Sequence, residues 1–218
     1  RWRQEIDPLV WRLRKRGDMA EDPNLFEMRR LEQLSNTVFG VAMTLLAYDL
    51  PRGVSAGASP TWHSLADVYV RPLIALALSF IIAGVFWMSH HRRLQRAPYA
   101  SRWVVMLNIF FLMSIVALPA TNGLYGSYRM NSAVAVVYFG HIALIAGLNT
   151  LLWFITLNRD ATARPFLSSL ATVGLALTAT VVAAINPAWA AYPMLLAFVL
   201  PLISWRTPKD DASPPEPT

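Results

Sequence analysis

Six apolar stretches separated by short charged segments dominate this chain: Leu34–Leu50, Pro72–Ser89, Trp103–Pro119, Ala133–Ile155, Phe166–Ile185 and Ala188–Trp205. A helix crossing a bilayer needs roughly 20 mostly apolar residues. In lipid each such helix satisfies its own backbone hydrogen bonds. In water a chain of 218 residues has no interior large enough for all six. Charged residues make up 15% of the chain, well below the ~25% of a soluble domain, and they fall in the connections or at span ends. The sequence therefore predicts an all-α integral membrane protein with six transmembrane helices per chain.

The basic residues set its orientation. Eight Lys and Arg precede the first span, ending at Arg29 and Arg30. Four more, Arg92, Arg93, Arg96 and Arg102, join the second span to the third. Arg159 and Arg164 join the fourth to the fifth, and Arg206 and Lys209 follow the sixth. Only Arg52, Arg71 and Arg129 fall on the other side. The positive-inside rule then places both termini in the cytoplasm of a multi-pass cell-membrane protein. The net charge of +6 is explained by orientation, so no nucleic-acid partner is expected. Three segments follow: a basic cytoplasmic stretch at 1–30, a six-helix transmembrane domain at 31–205, and a Pro- and Asp-rich disordered tail at 206–218. Residues 1–30 are too charged for the apolar core of a signal peptide. Trp2–Arg16 is either a basic amphipathic helix on the inner leaflet or a mobile arm. Trp62, Trp87, Trp103, Trp153, Trp189 and Trp205 near span ends suggest an interfacial belt. Pro119 and Pro187 mark helix ends, and Pro201 is placed to kink the sixth helix.

Charge inside a span marks many transporters and pumps. Here Asp49, Asp67 and Arg71 lie at span ends, which disfavours a carboxylate-driven mechanism. His141 is the one ionisable group well inside a span, and it reads either as a hydrogen-bonded packing residue or as a proton relay. His90 and His91 point about 100° apart on a helix, a poor chelating pair, since two ligands on one helix prefer i, i+4. No metal or cofactor is expected, and without cysteine there is neither a disulfide nor a thiol site. Asn108, Asn122 and Asn149 are polar groups at depth, but no nucleophile joins them, so no enzyme is expected.

The first span carries an unusual stripe. At 3.6 residues per turn, Leu34, Thr37, Val41, Thr44, Leu45 and Tyr48 share one face. Apolar side chains and hydroxyls in one row can line a narrow pore. They can equally pack against another helix, each threonine bonded to the carbonyl four residues back.

Arg30-Leu31-Glu32-Gln33-Leu34-Ser35-Asn36 resembles the RxxxFSD signature of the transmembrane protein 175 family of potassium channels. Val38-Phe39-Gly40-Val41-Ala42-Met43-Thr44-Leu45-Leu46 is similar to that family's first helix, and Trp87 with His90-His91 resembles its W-x-x-H-H element. Leu107-Asn108, Phe111-Leu112 and Leu118-Pro119 are similar to its third helix. The resemblance covers roughly residues 29–205. Two positions depart from it: Leu34 stands for Phe, and Asn36 stands for Asp, which keeps an acceptor but loses a charge.

The resemblance implies a homotetramer in the lipid bilayer, with first helices around a central pore for potassium ions. A single copy of the signature fits four chains rather than an internal duplication. It implies a pore constriction at Val41, Leu45 and Tyr48, potassium selectivity at Thr44, and a supporting network of Arg30, Leu34, Ser35, Asn36, Trp87, His90 and His91. TVGYG is absent, so selectivity is expected to be modest and to involve no carbonyl filter. The other readings are a proton-coupled small-solute transporter using His141 and a non-conducting membrane scaffold.

Overall fold

The computed structural model describes residues 25–51, 59, 61–95, 99–156 and 164–196. Trp2–Arg16, Pro201, Trp205, the tail from Arg206 and the latter part of the sixth expected span lie outside the described residues.

Five long helices organise the described chain: α1 (Met28–Leu46), α2 (Trp62–Leu94), α3 (Arg102–Tyr128), α4 (Ser132–Thr156) and α5 (Arg164–Ile185). Four of these regions, Trp62–Leu94, Arg102–Tyr128, Ser132–Thr156 and Phe166–Ile185, are long and apolar enough to cross a membrane. α1 has 19 residues and carries Arg29, Arg30 and Glu32 in its first turns. Where the sixth span is expected to begin at Ala188, the chain instead forms a 3₁₀ turn, Pro187–Trp189, and becomes helical again only at Tyr192. Asn186 caps that turn, its side chain accepting from the Ala188 N–H at 3.1 Å.

Two helices are longer than their apolar cores. α2 starts ten residues before Pro72 because Thr61 and Ser64 form a reciprocal capping box: Ser64 N–H donates to Thr61 Oγ1 at 3.2 Å and Thr61 N–H to Ser64 Oγ at 2.9 Å. Its 33 residues rise about 50 Å, more than a ~30 Å hydrocarbon core, so its ends project beyond it. α3 runs through Pro119 to Tyr128 rather than ending there. A proline removes one backbone donor, and packed neighbours in a membrane bundle make that tolerable.

The bundle packs α5 on α4, α4 on α3, and α1 on both α3 and α2. A short antiparallel pair, β1 (Leu25–Glu27) with β2 (Tyr99–Ser101), ties the entry of α1 to the entry of α3, with Phe26 opposite Ala100. The central apolar layer includes Phe39, Phe111, Ile115, Tyr138, Phe139, Ile142 and Ile145, all almost fully enclosed.

Of the tryptophans expected in an interfacial belt, Trp62, Trp103 and Trp189 are exposed. Trp153 is buried and its indole N–H donates to Ser89 at 3.0 Å. Trp87 is partly buried and bonds across to α1. These two rings therefore join helices rather than meet headgroups.

Candidate pore face and its polar support

α1 has two contrasting faces. Met28, Leu31, Ser35, Phe39, Ala42 and Leu46 are buried against the neighbouring helices. Their spacing of three and four residues is the repeat of one side of an α-helix. On the other side Leu34 (48%), Val41 (53%), Leu45 (43%) and Tyr48 (68%) stand exposed, as do Thr37 and Thr44. Thr37 donates to the Gln33 carbonyl at 3.0 Å, four residues back, and Thr44 to the Val41 carbonyl at 2.8 Å, three residues back. Each hydroxyl hydrogen is thereby committed to the backbone, and the oxygen keeps an acceptor lone pair.

A polar network fixes the buried face. Ser35 donates to the Leu31 carbonyl at 2.7 Å and accepts from Asn108 Nδ2, on α3, at 3.4 Å. Asn108 Oδ1 accepts from Arg93 Nη2, on α2, at 3.3 Å, and the same nitrogen lies 2.5 Å from His90 Nδ1. His90 stacks on Phe111 with ring centroids 5.0 Å apart, and Phe39 leans on both rings. Three helices thus meet at one polar knot roofed by aromatic rings. Arg93 is enclosed to 1% exposure, and among the described residues its Nε and Nη1 have no hydrogen-bond partner. A buried guanidinium without full hydrogen bonding is costly.

A second set lies nearer the surface. Trp87 Nε1 donates to Asn36 Oδ1 at 2.9 Å. His91 stacks on Trp87 at 5.4 Å, and its Nδ1 sits 3.0 Å from the Glu32 carboxylate on α1, without the alignment of a hydrogen bond. The Gln95 amide donates to His91 Nε2 at 2.7 Å. Ser35, Asn36, Trp87, His90 and His91 therefore come together. Arg30 does not join them: it is exposed and pairs with Glu27 at 3.2 Å. Leu34 lies on the exposed stripe instead. The adjacent histidines do face different ways, one to Arg93 and Phe111, the other to Glu32 and Trp87. Among the described residues no group of three or more His, Cys, Asp or Glu could hold a metal ion.

Arg93 and Glu32 are the members that sequence reasoning missed. Arg93 reads as a loop residue if α2 ends at Ser89, but α2 continues to Leu94 and carries it inward. The i, i+3 spacing of His90 and Arg93 was the available signal.

Two further polar knots join the bundle. Asn149 donates to Ser89 at 2.9 Å and to Ser169 at 3.1 Å, linking α4 to α2 and α5. Ser79 bonds to Asn122 and to the Tyr138 hydroxyl, the latter at 3.0 Å. His141 Nδ1 lies 2.9 Å from the Thr121 hydroxyl, so the histidine bridges α4 to α3.

Residues 30–119 match the family described as the endosomal/lysosomal potassium channel TMEM175. A potassium channel of Streptomyces collinus is 28% identical over 135 residues, 60% of this chain and 65% of that protein. One of a Chryseobacterium species is 29% identical over 114 residues, 52% of this chain and 57% of its own length. The matched region thus spans less than two thirds of either relative. The crystal structure of a lysosomal potassium-selective channel TMEM175 homolog from Chamaesiphon minutus shares the fold, with a TM-score of 0.67 and 24% identity. That likeness covers 81% of this chain and 97% of the homolog, and so reaches past α3 into the rest of the bundle. The signature around Ser35, the Trp87 and His90 knot and the shared fold agree with one another: residues 30–119 are similar to the TMEM175 family in sequence, and the chain shares the fold of its bacterial homolog.

Proposed function

We propose that this protein is a potassium channel, modestly selective over sodium, formed by four copies of the chain with α1 lining a central pore. Each copy contributes six transmembrane helices, with both termini on the cytoplasmic side of the cell membrane. The observation that carries this reading is the two-faced α1. One face is locked to α2 and α3, while Leu34, Thr37, Val41, Thr44, Leu45 and Tyr48 stand exposed on the other face among the described residues. A row of apolar side chains with two threonine oxygens is better satisfied around a narrow conduit than against lipid tails, because the hydroxyl oxygens keep lone pairs to offer. The relatives named as potassium channels support the same ion.

The mechanism follows from that row. Rings of Val41, Leu45 and Tyr48 from four helices narrow the pore and strip part of a passing ion's water. Potassium holds its hydration shell less tightly than sodium, so it passes such a ring more readily. Thr44 oxygens return part of the lost coordination. Side-chain oxygens and apolar rings lack the field strength of a carbonyl filter, which is why selectivity is modest. The Ser35, Asn108 and Arg93 knot holds the opposite face of α1 in register.

The chain has no cysteine, so single Cys substitutions report accessibility cleanly. Thr44→Cys is expected to be modified by a water-soluble thiol reagent and the modification to block ion flux, while Ala42→Cys on the buried face stays unreactive. Flux unaffected by full modification at 44 would overturn the pore assignment.

A further inference from the structure

A cleft of about 590 Å³ opens between α2 and the turn joining α3 to α4, away from the α1 stripe and the Arg93 knot. One wall is apolar, with Ile74, Leu78 and the ring of Tyr125. Ile74 and Leu78 belong to the uncharged run of α2 that begins after Arg71, and Ile74 is largely exposed. Tyr125 is fixed in place by stacking on Tyr138 at 4.5 Å. The other wall is polar, with Tyr128 at the end of α3 and Arg129 and Asn131 in the short connection to α4. The Asn131 side-chain Oδ1 accepts from the Val134 N–H at 3.2 Å, which leaves the side-chain amide hydrogens as donors toward another group.

Arg129 is an exposed cation with no carboxylate partner among the described residues. The ion pairs there join Arg30 to Glu27, His63 to Asp67 and His91 to Glu32. A guanidinium, an amide and a phenol at the rim of an apolar trough, beside the end of two membrane helices, form an amphipathic receptor. A free anion would gain nothing from the Ile74 and Leu78 wall, and a zwitterionic lipid, whose own ammonium offsets its phosphate, would gain less from Arg129 than a net anionic one. We propose that this cleft binds an anionic phospholipid, its phosphodiester against Arg129 and Asn131 and its first acyl carbons along Ile74 and Leu78. The inference rests on α2, α3 and α4 spanning a bilayer and is independent of conduction, so a silent channel leaves it standing.

Native mass spectrometry of the purified full chain in detergent tests it. The probes are phosphatidylglycerol, phosphatidylcholine with the same acyl chains, and inorganic phosphate as competitor. Phosphatidylglycerol is expected to bind at one molecule per chain more tightly than phosphatidylcholine. A basic side chain near an anionic lipid surface contributes about 1 kcal/mol, so Arg129→Ala should weaken phosphatidylglycerol binding about fivefold. Arg129→Gln should do the same, whereas Arg102→Ala, exposed at the entry of α3, should leave it unchanged. Three results each overturn the proposal: equal binding of the two lipids, undiminished phosphatidylglycerol binding in both Arg129 variants, or displacement of the lipid by millimolar phosphate.

Discussion

Replacing Asn108 with leucine tests how α1 is held. Asn108 bonds to Ser35 of α1 at 3.4 Å and to Arg93 of α2 at 3.3 Å, both longer than the usual range. Bonds this long belong at the low end of the net scale, about 0.5 kcal/mol each. The larger loss falls on Arg93. Two nitrogens of this buried guanidinium already lack partners among the described residues, and losing the Asn108 acceptor adds about 1–3 kcal/mol. Asn108→Leu should therefore cost about 2–4 kcal/mol. The reasoning makes a second demand: with the charge removed by Arg93→Met, Asn108→Leu should cost less than about 1 kcal/mol, because only the Ser35 bond is left to lose. Reversible unfolding in mixed micelles, titrated with dodecyl sulfate and read by tryptophan fluorescence, gives all four corners of the cycle. A cost of Asn108→Leu below about 0.5 kcal/mol, or the same cost with and without Arg93, would refute the reasoning.

Other perturbations follow from the same contacts. Phe111→Ala removes a fully enclosed ring beside His90 and Phe39 and should destabilise by about 3–5 kcal/mol in the same titration. Asn36→Asp keeps an acceptor for Trp87 Nε1 and should unfold no earlier than the natural protein, while Asn36→Ala should lose about 1 kcal/mol. Val41→Ala should widen the constriction and raise flux, and Thr44→Ala should lower the preference for potassium; bilayer currents unchanged by both would contradict the pore. His141→Ala should lose the Thr121 bond and the contact with the Ser114 backbone yet leave flux intact, and pH-driven uptake that vanishes in this variant would favour a transporter instead.

The bundle was legible because its driving pattern is coarse. An uncharged run long enough to cross a bilayer announces a helix whatever its neighbours are, and four of the expected spans have their counterparts in α2 to α5. Boundaries were less legible, since they depend on single contacts. Thr61 and Ser64 extend α2 backward, and packed neighbours carry α3 through Pro119. Hydropathy alone carries an expected sixth span through Ala188, where Asn186 and Pro187 instead set a 3₁₀ turn. The pairing of Leu25–Glu27 with Tyr99–Ser101 had no sequence signal, three residues being too few to show alternation.

The stripe on α1 could be drawn from periodicity, and those residues do stand exposed on one face. Its support could be drawn only in part. Asn108, Asn122 and Asn149 were visible as polar groups in apolar spans, and each must find a partner there. Which serine, tyrosine or arginine supplies it depends on helix rotation, and one sequence does not encode that on its surface. Arg93 illustrates the limit: one extra turn of α2 converts a loop charge into the buried centre of the network.

The most direct measurement is ion flux into liposomes holding the purified full chain, driven first by a potassium gradient and then by a sodium gradient, with Val41→Ala alongside. The account predicts flux for both ions, faster for potassium, and a changed rate in Val41→Ala. No flux for either ion from an intact oligomer, or flux indifferent to Val41→Ala, would contradict the claim that α1 lines a potassium pore.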